Sequence, residues 1–285
     1  TSGTTGRPKG AMLPQSALFW NAINATLTLG MTRADHVLTA IPMFHAGGLN
    51  IQTTPAMHLG ASVTIVQRFD PGATLALLST RQHSLFIAVP AMIQACLVAV
   101  PDVAQREYAD LELLAYGGSP IAEETLAKGL EVFKRDFAQA CGMTELSPCA
   151  TILSAADHRR ALDGKPELLL SGGRAVMGTD LRIVDEDDNP LPNGTMGEIC
   201  VRGPQVMKEY WNLPEETAEA MRNGWMHTGD AGTLDDEGYL YVQDRVKDMI
   251  VSGGENVYPI QAPGHRRCRG DRCPRPAMGR AGESG

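Results

Sequence analysis

Aromatic side chains are scarce in this chain of 285 residues, where six Phe, six Tyr and three Trp amount to 5%. Hydrophobic residues still reach 43%, so a full-sized core is not excluded, and the length suits one large domain or two ordinary ones. Also missing is any apolar run near the roughly 20 residues that span a bilayer, and the N-terminus shows no charged-then-apolar targeting pattern. Membrane contact is expected to be peripheral at most. Cysteine is too thin for a disulfide framework: residues 96, 141, 149, 200, 268 and 273 are scattered, which suits a reduced, cytoplasmic setting. Positive charge is short as well. The net charge is −8, and because six arginines face only Asp271 and Glu283 beyond residue 260, the tail carries +4 and the body −12. An acidic body excludes general nucleic-acid binding, so an anionic ligand has to be held by local donors. No internal repeat is present.

What is there begins with a loop. Thr1-Ser2-Gly3-Thr4-Thr5-Gly6-Arg7-Pro8-Lys9-Gly10 combines three glycines, four hydroxyls and an ammonium group, a set that suits a polyphosphate because glycine lets backbone amides approach an anion. No Lys-Ser or Lys-Thr pair follows the second glycine, which excludes the Walker loop, and the GxGxxG dinucleotide turn is absent too. A plain polar loop is the alternative.

From residue 15 to about 140 helical and strand patterns alternate. Leu18, Phe19, Ala22, Ile23 and Leu27 predict a helical face stopped at Gly30. Strands are predicted at 37–41, 62–66, 85–89 and 111–115, and helices near 48–58, 72–82, 91–99 and 121–133. The expected fold is layered α/β, with a mostly parallel sheet covered by helices. After Glu167, strands at 181–184 and 197–202 and a hairpin through Asp235-Asp236-Glu237-Gly238 predict a smaller β-rich subdomain. The chain is therefore divided into an α/β part, 1–166, and a β-rich part, 167–244. Residues 261–285 lack apolar periodicity and are expected to be a disordered or non-native tail, with a shifted reading frame as its origin. A basic nucleic-acid arm is another reading of it. His265, Cys268 and Cys273 fall one ligand short of a closed zinc site.

Four more segments carry chemistry. Gly117-Gly118-Ser119-Pro120 follows a predicted strand and precedes a helix, at the carboxyl edge where open α/β sheets bind ligands, although an ordinary βα turn reads the same way. Gly142-Met143-Thr144-Glu145 sets a hydroxyl beside a carboxylate, suited to a phosphate oxygen and its magnesium. Thr228-Gly229-Asp230 places a carboxylate after a tight turn, where it accepts both hydroxyls of a ribose or is simply solvated. Asp244 to Asn256 is a charged cluster leading into an apolar strand and a glycine turn.

Taken in this order, from Thr1 to Ile260, the segments resemble the adenylate-forming (AMP-binding) superfamily of acyl-CoA synthetases, luciferases and peptide-synthetase adenylation domains. Gly224 to Asp230 and Ser252 to Pro259 are most similar to its fatty- or aryl-acyl-CoA synthetase branch. The resemblance implies that Thr1, Ser2, Gly3, Thr4, Thr5, Gly6 and Lys9 hold the β- and γ-phosphates, Thr144 a phosphate oxygen and Glu145 the magnesium. It also implies that Asp230 and Arg245 bind ribose, and that Gly118, Ser119 and Pro120 border adenine with Cys141, Gly142 and Met143 beside them. His45, which its residues alone mark as a buried or loop histidine, would lie by the acyl pocket. Lys247 would be the hinge of a C-terminal domain that opens over 245–260. The implied activity is a ligase that activates a carboxylic acid with ATP and passes it to coenzyme A. A non-catalytic nucleotide- or acyl-binding remnant and an amino-acid adenylation domain are the alternatives.

Three departures qualify this. Cys141 stands where the family carries an aromatic residue that stacks on adenine. No lysine-bearing C-terminal domain follows Ile260, and the family's long segment ahead of the phosphate loop is not in this sequence. Impaired activity, an open sheet edge and uncovered apolar surface are the expectations.

Overall fold

The structure, a computed structural model, describes residues 8–80, 82–245, 250–252 and 255–257. Thr1 to Gly6, Lys247 and residues 261–285 lie outside the described residues. The chain runs through β1 (Ala11–Met12), α1 (Gln15–Thr28), β2 (His36–Thr39), a π-helical turn (Gly47–Thr53), α2 (Thr54–Leu59), β3 (Ser62–Ile65) and α3 (Pro71–Leu78). It continues through β4 (Leu85–Ala88), α4 (Pro90–Ala99), β5 (Leu113–Gly117), α5 (Glu123–Phe133), β6 (Asp136–Cys141), β7 (Thr151–Leu153), α6 (Ala155–Leu162) and β8 (Arg174–Ala175). Seven strands form one sheet in the order β3-β2-β4-β5-β6-β7-β8, parallel from β3 to β6 and antiparallel at β7 and β8.

Local chemistry explains these elements. Pro71 and Pro90 open α3 and α4 at positions where a missing N–H costs no helical bond, and the Asp70 side chain caps α3 by accepting from Ala73 N at 2.7 Å. Leu85-Phe86-Ile87-Ala88 and Leu113-Leu114-Ala115-Tyr116 are buried throughout, as central parallel strands covered on both faces require. The strand predicted at 111–115 starts two residues later because Leu111 N bonds Tyr108 O and closes a turn, which carries Gly117 into the ladder. The helix predicted near 48–58 opens as a π-turn pressed against the preceding loop; a Cβ on Gly48 would stand 2.6 Å from the Ile41 and Pro42 carbonyl oxygens.

A second, antiparallel sheet follows. It contains β9 (Asp180–Val184), β10 (Gly197–Arg202), β12 (Met221–Arg222), β13 (Trp225–Leu234) and β14 (Leu240–Arg245), with β13 paired to β10, β12 and β14. The predicted hairpin is present, with Leu234 opposite Leu240. Between these strands, β11 (Glu209–Tyr210) pairs with β1, and α7 (Pro214–Ala220) follows it. The layered α/β architecture with a smaller β-rich portion is the one predicted.

Tyr239 from the hairpin ties the two sheets. It is fully buried and donates its hydroxyl to Asp157 Oδ1 on α6 at 2.6 Å, while Leu240 and Gly173 bond through their backbones at 2.9 Å. Among the described residues β3 is an edge strand paired only with β2, and Ile65, Phe19, Leu27 and Met57 are exposed there and on the helices α1 and α2. Among the described residues no helix is long and apolar enough to cross a membrane.

Candidate functional site

Strand order reverses at β2. The chain leaves β2 for the edge strand β3 and returns as β4 on the other side, so loops leaving the carboxyl ends diverge and open a crevice. A cavity of about 630 Å³ lies at that edge. His45 and Gly47 line it after β2, Val89 after β4, Gly117 to Pro120 from the last residue of β5 onward, and Cys141 to Glu145 from the last residue of β6 onward. Gly117 keeps its floor tight, since a Cβ there would meet the Ala140 carbonyl oxygen at 2.3 Å. Gly118 turns the chain away at φ +81, a conformation that favours glycine.

Glu145 sits in a 3-10 turn (Thr144–Leu146) just beyond β6 and is 2% exposed. Its backbone oxygen accepts from Met207 N at 2.7 Å, and its Oε1 accepts from the Tyr210 hydroxyl at 2.8 Å. Oε2 is buried and has no hydrogen-bond partner among the described residues, so this carboxyl oxygen is the one open to a divalent cation. The ammonium of Lys9, which also lines the cavity, stands 4.9 Å from the centre of the Tyr210 ring. Burial, and next the charge of Glu145, push the Tyr210 hydroxyl above its ordinary range, so it remains a donor at neutral pH.

On the opposite wall a β-bulge presents Asp230. Glu198 faces Ala231 and Cys200 faces His227, so Ile199 alone opposes the three residues between, and Thr228-Gly229-Asp230 bulges away from β10 into the cavity lining. The turn is pinned: Gly229 N donates to Glu198 Oε1 at 3.1 Å, and Thr228 Oγ1 donates to Ile199 O at 2.8 Å. Glu198, Cys200 and His227 place ligand atoms within 4.8 Å of one another. A guanidinium nitrogen of Arg222 already lies 2.9 Å from His227 Nδ1 and within reach of Glu198 and Asp188, and burial pushes the Cys200 thiol up to about 12. The group therefore reads as an arginine-centred charge network holding the turn.

Lys9, His45, Gly118, Ser119, Pro120, Cys141, Gly142, Met143, Thr144, Glu145 and Asp230, named from separate stretches of sequence, all line the one cavity. His45 is an exposed loop residue whose Nδ1 accepts from Gly47 N at 3.0 Å. Burial pushes the Cys141 thiol up. The backbone of Arg245 stands opposite Asp230 in the β13–β14 ladder. Tyr210, Glu198 and Arg222 also line the cavity and were not singled out from sequence. The adjacent aromatics Tyr210-Trp211 favour a strand but do not show that the tyrosine meets Glu145.

Residues 1–211 match the profile of the AMP-binding enzyme family. A feruloyl-CoA synthase of an Amycolatopsis species is 39% identical over 295 residues, covering 100% of this chain and 57% of that protein. An indoleacetate–CoA ligase of Aromatoleum aromaticum is 41% identical, with 92% of this chain and 49% of the relative covered. Among solved structures, ATP-bound MatB from Rhodopseudomonas palustris matches with a TM-score of 0.81 at 31% identity, over 92% of this chain and 50% of that one. The o-succinylbenzoate CoA synthetase of Bacillus subtilis, in complex with its acyl-adenylate intermediate, gives 0.80 at 33% identity, over 91% and 51%. The chain thus spans about half the length of the relatives it matches.

Proposed function

The chain belongs to the family of AMP-binding enzymes, and on that premise we propose that it forms the nucleotide- and acyl-binding core of an ATP-dependent acid–thiol ligase of the acyl-CoA synthetase type. The observation that carries the reading is the convergence of Lys9, Gly118 to Pro120, Cys141 to Glu145 and Asp230 on one cavity at the switch point of the sheet.

In this reading the adenine lies along Gly118, Ser119 and Pro120, with Cys141, Gly142 and Met143 beside it. Asp230 and Arg245 take the ribose hydroxyls, Thr144 a phosphate oxygen, and Thr1 to Gly6 with Lys9 the β- and γ-phosphates. A magnesium ion held by Glu145 supplies charge neutralisation to those phosphates when bound. The carboxylate substrate is ionised at neutral pH, so its oxygen attacks the α-phosphorus and expels pyrophosphate without a general base; alignment and charge stabilisation are what the residues supply. The thiol of coenzyme A then attacks the acyl carbon and AMP leaves. Lys247 is the hinge between these half-reactions. His45, Ile51, Ile87 and Val89 line the acyl end, which suits a fatty or aryl acid.

The test is calorimetric titration with a non-hydrolysable acyl-adenylate, an acyl-sulfamoyl adenosine bearing an aryl or a fatty chain. One saturable site that weakens at least tenfold in Asp230→Ala is expected. Binding that ignores this substitution, or no binding at all, overturns the reading.

A further inference from the structure

Tyr210 joins two parts of the cavity that lie far apart in the chain. We propose that Tyr210 is the positioning residue of the metal-binding carboxylate, fixing Glu145 so that Oε2 is kept for a divalent cation and holding Lys9 in register with it. The inference rests on the reading of the cavity as an ATP site.

Three contacts support it. The Tyr210 hydroxyl donates to Glu145 Oε1 at 2.8 Å, across 65 residues of sequence, with both side chains buried. A carboxylate held at one oxygen and anchored through its backbone by Met207 N has little freedom to turn, which leaves Oε2 as the oxygen without a partner among the described residues. The face of the same phenol lies under the Lys9 ammonium at 4.9 Å. Finally, the backbone of Tyr210 pairs with Ala11 in the β1–β11 ladder, and Trp211 N donates to Gly10 O at 2.7 Å, so the strand carrying Tyr210 also holds the arm that follows Lys9. One side chain and its strand therefore set the distance between the ammonium and the carboxylate. Tyr210 is also part of the core of the second sheet, packed in the same cluster as Leu146 and Met207. A packing role alone predicts a loss of stability with metal affinity unchanged.

The experiment measures free Mn2+ by electron paramagnetic resonance while the chain is titrated in the presence of ATP, with thermal melts run alongside. Tyr210→Phe keeps the ring and removes the donor; Tyr210→Leu removes both; Glu145→Gln is the reference. The unaltered chain is expected to hold Mn2+ with ATP more tightly than ATP alone does. Tyr210→Phe should weaken that Mn2+ binding roughly 10- to 100-fold, the scale for losing a partner of a metal ligand, with metal-free ATP binding altered less than about twofold. Tyr210→Leu should add a loss of about two- to fivefold in ATP affinity as the support under Lys9 goes. In the Glu145→Gln background, Tyr210→Phe should have no further effect on Mn2+. Equal Mn2+ binding by Tyr210→Phe and the unaltered chain overturns the inference, as does an undiminished effect in the Glu145→Gln background. If the unaltered chain adds nothing to Mn2+ binding by ATP, the reading of the cavity fails and the inference with it.

Discussion

Replacing Tyr239 with Phe removes a single oxygen from the seam between the two sheets. Tyr239 is fully buried, and its hydroxyl donates to Asp157 Oδ1 at 2.6 Å and accepts from Arg160 at 3.2 Å. A hydrogen bond to a charged group contributes about 1.5–3 kcal/mol. The low end applies here, because Asp157 keeps Ser154 Oγ at 2.7 Å and Arg174 at 3.3 Å, and the phenyl ring keeps its packing under Arg174. A loss of about 1.5 kcal/mol at pH 7 is therefore expected, or roughly 3 °C in Tm for a chain of this size. The pH dependence gives a second signature. Burial alone would raise the Asp157 pKa, but the bonds from Tyr239 and Ser154 and the charge of Arg174 outweigh it and hold the carboxyl below its ordinary value. A depressed folded-state pKa contributes stability that is present above the unfolded value near 4 and is lost as pH falls through the folded value. The deficit of Tyr239→Phe should thus be constant from about pH 8 to pH 5 and narrow below about pH 4. Urea unfolding at a series of pH values measures it. A deficit under about 0.5 kcal/mol at pH 7, or one that does not change down to pH 3, refutes the assignment of the bond as charge-assisted.

Three further outcomes are expected. Cys141→Tyr places a ring at the end of β6, and if it faces the base it should tighten ATP binding by roughly 1–3 kcal/mol in calorimetry; unchanged or weaker binding means this position does not meet adenine. Gly117→Ala puts a Cβ 2.3 Å from the Ala140 carbonyl oxygen, so β5 and β6 must part, with an expected loss of about 1–3 kcal/mol on denaturant unfolding; wild-type stability contradicts the close approach. Asp70→Ala removes the cap on Ala73 N and should lower stability by about 1 kcal/mol, read as a fall in the urea midpoint with an unchanged m-value.

The central strands were legible because their chemistry is local. Leu85 to Ala88 is a short apolar run ended by Val89-Pro90, and Pro71 after Asp70 announces a helix start. β6 was not legible: Asp136-Phe137-Ala138-Gln139-Ala140-Cys141 has one large apolar residue, and it is a strand because β5 and β7 flank it. Helix α6 was missed although its start is encoded, since Ser154 and Asp157 form a reciprocal capping box there. The site divides in the same way. Glycines, hydroxyls and carboxylates that neighbour one another in sequence, such as Gly142 to Glu145, stand out as a group, as does a carboxylate after a tight turn at Asp230, and both stretches line the cavity. Tyr210 gains its meaning from a contact made across the fold, and Glu198 from a bulge that depends on strand register.

Photolabelling with 8-azido-ATP followed by peptide mapping tests most directly whether the crevice at the switch point holds a nucleotide. The expected result is label on peptides containing Gly117 to Pro120 or Cys141 to Glu145, suppressed by unlabelled ATP and by an acyl-adenylate analogue. Label confined to other surfaces, or label that competing ATP does not suppress, contradicts the nucleotide site.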